Sequence, residues 1–169
     1  MEWTGARYAD TPTAEASTWI DGAPEAVWRF VSDVRLMPEM SAELQRVECS
    51  CEGSPSVGGS WVGFNKHEAL GEWSTTSYVV ECDRPRVFAW AVSDPERPTA
   101  TWRFTLTPEN GGTRLTQWTR MGPAPSGISI AIERMPDKEQ KIVFVRLREL
   151  ETAMIATVAA IKDRVEAAR

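Results

Sequence analysis

Between Ile142 and Val165 the apolar residues Val143, Leu147, Leu150, Met154, Val158, Ile161 and Val165 recur at steps of four, three, four, four, three and four. That spacing keeps them on one stripe of an α-helix. The other side carries Arg146, Arg148, Glu149, Glu151, Lys162, Asp163, Arg164 and Glu166, so the pattern predicts a long helix over 137–169 lying on a core with its back in water. At 1.5 Å per residue the striped part is roughly 36 Å long, enough to run the length of a small sheet.

Upstream the period changes from 3.6 to 2. Thr13–Ile20 alternates and predicts a first strand. Asp21-Gly22-Ala23-Pro24-Glu25 is a helix-start signal, with Asp21 or a neighbour capping and Pro24 and Glu25 in the first turn. The short helix it opens runs to about Asp33, with Val27, Phe30 and Val31 as its apolar face and Trp28 beside them. A second short helix or turn spans Met37–Leu44, and its Met37, Met40 and Leu44 are placed to close one end of whatever the strands enclose.

Six further strands follow: Gln45–Ser50, Ser60–Ala69, Trp73–Cys82, Arg86–Val92, Thr99–Thr107 and Thr113–Met121. They are separated by turn residues at Glu52-Gly53-Ser54-Pro55, Leu70-Gly71, Asp83-Arg84-Pro85, Asp94–Pro98 and Asn110-Gly111-Gly112. Connections this short force antiparallel neighbours. A last apolar piece, Ile128 to Met135, reads as a short helix stopped near Pro136. The order predicts an α+β domain: a curved seven-stranded antiparallel sheet wrapped around the long C-terminal helix, with two short helices between strands 1 and 2.

Alternation also assigns faces. If Trp61 points inward, so do Gly63, Asn65 and His67; if Leu115 and Met121 do, so do Gln117 and Thr119. An inward polar side chain costs about 1–3 kcal/mol if unpaired, so these are candidates for contact with a ligand, or else they pair internally. Trp118 falls on the outer face between Arg114 and Arg120, and predicts either a stacked guanidinium or a homodimer contact.

Composition narrows the partners. The 169 residues carry a net charge of −5 with no Lys/Arg-dominated window, which argues against nucleic acid or an anionic membrane. No apolar run is long enough to span a bilayer. Residues 1–12 lack the pattern of a signal peptide and are expected to be an N-terminal extension to a single domain over 13–169. Cys49, Cys51 and Cys82 are an odd, sparse set, expected as buried or half-buried free thiols in a reducing cytoplasm. With one histidine and no second Cys pair, no metal site is expected. No nucleotide-binding loop or nucleophile elbow is present, so no cofactor is expected either.

The order of elements is similar to that of the START-like or SRPBCC superfamily, the helix-grip fold of polyketide cyclases/dehydrases and lipid-transfer domains. The similarity rests on Ile20-Asp21-Gly22-Ala23-Pro24-Glu25-Ala26-Val27-Trp28, Val57–Asn65, Glu72–Thr76, Phe88-Ala89-Trp90, Thr101–Leu106 and Thr113–Thr116. This resemblance implies a deep apolar cavity between sheet and long helix that binds a hydrophobic or aromatic small molecule, without fixing one chemistry. The expected lining is Trp61, Gly63, Asn65, His67, Phe88, Trp90, Trp102, Phe104, Gln117, Thr119, Met121, Val143, Leu147 and Leu150. A carrier, sensor or sequestering protein is the first expectation. A cyclase/dehydratase needing neither metal nor nucleotide is the alternative, with His67, the only histidine in the sequence, as its acid/base. A co-chaperone-like module using the outer sheet face is the third.

Overall fold

The computed structural model describes residues 1–50 and 55–168. The turn read at Glu52-Gly53-Ser54 and the thiol of Cys51 therefore lie outside the described residues. The strands are β1 (Thr13–Ile20), β2 (Leu44–Glu48), β3 (Ser60–His67), β4 (Gly71–Asp83), β5 (Val87–Val92), β6 (Ala100–Glu109) and β7 (Gly112–Met121). They form one antiparallel sheet in the order β1-β7-β6-β5-β4-β3-β2. The first strand thus closes against the last, and β1 and β2 are the two edges. The α-helices among the described residues are α1 (Pro24–Val31), α2 (Gly127–Arg134) and α3 (Glu139–Ala167).

Local chemistry accounts for the boundaries. Pro24 occupies the first turn of α1, where its missing N–H is no loss. The cap residue is Ala23, which offers no side-chain acceptor, and the Asp21 amide two residues before it donates to Glu166 at 2.9 Å. The β6–β7 hairpin turns on Asn110 and Gly111, both at positive φ (49° and 78°), as a tight two-residue turn requires. Between α1 and β2 the chain makes a 3-10 turn over Val34–Glu39, shorter than the predicted helix and started by Asp33, whose carboxylate accepts from the Arg35 amide.

All seven residues of the α3 stripe are buried. The C-terminal part of the stripe packs on β1 and α1, tightly enough that a methyl group added at Gly22 would sit 2.7 Å from Val165 Cγ1. The N-terminal extension is fastened to the start of α3: Tyr8 N–H donates to Glu139 (3.0 Å), Gln140 donates to the Gly5 carbonyl (2.6 Å), and the Tyr8 hydroxyl donates to the Ala124 carbonyl (2.7 Å).

Two expectations need correction. Cys49 is disulfide-bonded rather than a free thiol; Cys82 is free and half-buried, with desolvation pushing its pKa up. On the convex face Arg114 pairs with Glu109 (2.8 Å) rather than stacking on Trp118. Among the described residues the cation–ring contacts are Arg46 on Phe64, Arg148 on Phe144 and Lys162 on Trp19.

Candidate functional site

Sheet register builds an aromatic wall on the concave face. Trp90 stands opposite Trp102, and Phe88 opposite Phe104; Phe104 is in turn opposite Gln117, and Trp102 opposite Thr119. The indoles of Trp90 and Trp102 stack at 6.3 Å with an 11° interplanar angle. Trp61 on β3 meets Trp90 at 5.7 Å and 60°, and Phe104 meets it from the other side at 5.9 Å. Offset and tilted arrangements of this kind suit the ring quadrupoles and hold the rings rigidly.

Between this wall and α3 lie two adjoining chambers. The inner one, about 150 Å³, is bounded by the four rings, by Met37, Met40 and Leu44 from the segment after α1, and by Leu150, Ala153, Met154 and Thr157 of α3. The outer one, about 240 Å³, runs toward the start of α2 between Thr119, Met121, Ile128 and Arg146. Glu43, Asn65, Thr75, Val92, Trp102 and Leu150 line both. Each is below the roughly 300–1,000 Å³ of drug-sized sites, but a molecule occupying both would span the shared walls.

Of the expected lining, Trp61, Gly63, Asn65, Trp90, Trp102, Phe104, Gln117, Thr119, Met121 and Leu150 face one chamber or both. Four residues do not. Phe88 points inward but is covered by Trp28 and Trp61 (ring centroids 6.2 and 6.4 Å). Val143 and Leu147 are buried in the core outside either chamber. The α3 residues that line the chambers are Arg146, Leu150, Ala153, Met154 and Thr157.

His67 is the fourth. It shares the inward face of β3 with Trp61, but at the far end of the strand, and both its ring nitrogens are engaged. Nδ1 accepts from the Ala69 amide (3.1 Å), and Nε2 stands 3.2 Å from Glu149 Oε2.

The charged residues at the cavity were not expected there. Arg146, read from sequence as part of the wet back of the helix, has a side chain only 13% exposed. Its guanidinium makes a two-pronged pair with Glu43, Nη2 to Oε2 at 2.8 Å, and reaches Glu149 at 3.3 Å. Burial works against its charge, but the two carboxylates outweigh it and raise its pKa further. Glu43 and Arg146 are the only ionisable side chains on the walls of the two chambers among the described residues.

The polar remainder is amide and hydroxyl. Thr157 is spent on the Met40 and Ala153 carbonyls. Gln117 is different: it is 7% exposed, and its Oε1 is fully buried with no donor from any described residue.

The model of a family described as polyketide cyclase / dehydrase and lipid transport matches residues 11–141. No match is found among curated proteins. Solved structures share the fold. A polyketide-cyclase-like protein from Corynebacterium glutamicum, Cgl2372, aligns with a TM-score of 0.65 and 26% identity over 91% of each chain. The di-domain ARO/CYC StfQ from the steffimycin pathway aligns at 0.71 and 18%, over 91% of this chain and 50% of its own. The aromatase/cyclase Zhui from Streptomyces sp. R1128 aligns at 0.62 and 16%, over 92% and 93%.

Proposed function

Since this chain belongs to the polyketide cyclase/dehydrase and lipid transport family, we propose that it binds a hydrophobic or aromatic small molecule in the paired chambers between sheet and α3, as a carrier, sensor or sequestering protein. The observation that carries this reading is the wall of Trp61, Trp90, Trp102 and Phe104, whose rings pack on one another and still line a void. Sheet register sets the rings side by side as one wall, leaving their remaining apolar surface available to a guest. Three indoles at the wall also make binding visible. An apolar ligand is expected to quench or shift tryptophan emission saturably, and Trp102→Phe to remove much of that change. If no compound from a broad lipid and aromatic panel alters the emission, and native mass spectrometry finds nothing co-purified, the reading fails.

A cyclase/dehydratase acting in the same chambers is the second reading. What favours it is the Glu43–Arg146 pair on the wall, a carboxylate and a hydrogen-bond donor beside space for a folded reactive chain. The engagement of the pair with itself and the position of His67 outside the lining weigh toward binding without turnover. Conversion of a β-keto chain by the wild type, abolished by Glu43→Gln and untouched by His67→Ala, would reverse that order.

A further inference from the structure

We propose that the cavity selects a neutral aromatic molecule bearing a hydroxyl or other hydrogen-bond donor, which Gln117 Oε1 receives, and that it rejects carboxylates. The inference rests on the reading of the chambers as a ligand site and adds the chemistry of the ligand.

Two independent observations lead to it. The first is the unmatched acceptor. Gln117 stands on β7 opposite Phe104, its side chain on the wall of the inner chamber and its carbonyl oxygen buried without a donor. A buried acceptor is costly to leave unpaired, whereas a hydroxyl on a guest between the rings would meet it directly. Sites built around such a group discriminate strongly against analogues lacking the donor.

The second is the disposition of charge. A fatty acid or aryl carboxylate needs a cation, and the one cation lining the chambers among the described residues, Arg146, already has both terminal nitrogens on the carboxylates of Glu43 and Glu149. Glu149 also faces His67. An entering carboxylate would meet the Glu43 carboxylate on the wall and a guanidinium already satisfied by Glu43 and, behind it, Glu149, in a partly buried setting where like charges repel. Among the described residues the charges on the walls, Glu43 and Arg146, pair with each other, and the rest of the cavity's polarity is amide and hydroxyl.

The test uses three two-ring probes titrated calorimetrically into the intact protein at neutral pH: 2-naphthol, its methyl ether 2-methoxynaphthalene, and 2-naphthoate. The expected order is 2-naphthol tightest, with the ether about tenfold or more weaker and the carboxylate weaker still. Gln117→Met, close in shape and apolar, is expected to bring naphthol down to the level of the ether while leaving the ether's affinity within about twofold. If the ether binds wild type as tightly as naphthol, or naphthoate binds tightest, the donor claim is overturned while the cavity reading stands. If none of the three binds, the proposal falls, and the cavity reading falls with it only if the broad panel and native mass spectrometry are blank as well. The wild-type series decides the question even if the variant does not fold.

Discussion

The two ends of α3 belong to one stripe and do opposite things. Toward its C-terminus Val158, Ile161 and Val165 sit in a solid core against β1 and α1, where Gly22 leaves no room for even a methyl group. One to three turns earlier, Leu150, Ala153 and Met154 face the chambers. In both regions the stripe residues themselves are buried. Only the first is closed by contact, because the partners there are short strand residues and a small helix that can approach. In the second, the big rings of β3, β5 and β6 stand up from the sheet and brace each other, so the helix cannot settle onto them. The difference shows that a hydrophobic stripe reports burial and says nothing about whether the space beside it is full.

That contrast predicts unequal costs for similar truncations. Ile161 is 0% exposed, and Ile161→Ala is expected to destabilise by about 3–5 kcal/mol, since the packed surroundings cannot collapse into the hole. Leu150→Ala should cost only about 2 kcal/mol, because one flank of Leu150 already lacks packed neighbours and has little dispersion left to lose. The same variant should admit bulkier ligands. Urea unfolding of the two variants side by side checks this, and equal losses would mean that the chambers are filled at the helix surface.

Next in size is the wall pair. Arg146→Met leaves Glu43, whose side chain is 21% exposed, facing an apolar cavity without its partner. A fully buried orphan charge costs several kcal/mol, and partial exposure brings the expected loss down to about 1–2 kcal/mol. Glu43→Gln in the same chain should recover most of it. A double-mutant cycle measures the coupling, and additivity of the two losses would show that the pair contributes nothing to closing this end.

These contrasts also separate what the sequence could show from what it could not. The stripe and the strand faces were legible because periodicity is a backbone property: Trp61, Gly63 and Asn65, and likewise Gln117, Thr119 and Met121, share the sides that alternation assigned them. Period two gives the side of a strand and not the depth along it, so His67 had the right face and the wrong end. Phe88 was inward but unavailable, because the ring covering it belongs to Trp28 of α1, and no local pattern says where a short helix docks. Arg146 was hidden for a different reason. A charged residue beside a stripe reads as solvated unless its partner is known, and Glu43 lies 103 residues away in a connecting segment. The acidic and basic ends of that pair carry no motif; only the fold brings them together.

The smallest effect concerns how the packed end is joined to the hollow one. Asp33 follows α1 and opens the 3-10 turn that carries Met37 to the inner chamber, accepting from the Arg35 amide at 3.1 Å and from its guanidinium at 2.8 and 2.9 Å. The hydrogen bond from the Arg35 side chain lowers the Asp33 pKa, with burial opposing and the Arg35 amide and charge adding to it. A carboxyl whose folded pKa is depressed contributes stability that is present above its unfolded pKa and is lost as pH falls through the folded value. The pair is largely solvent-screened, so Asp33→Asn, which keeps an acceptor for the amide, should cost only a few tenths of a kcal/mol at neutral pH. The gap between wild type and variant should close as pH drops from about 5 toward 2 and shrink in high salt. A gap that persists undiminished at the acid end would show that Asp33 acts through the turn's geometry alone, and that its charge has no part in holding Met37 over the cavity.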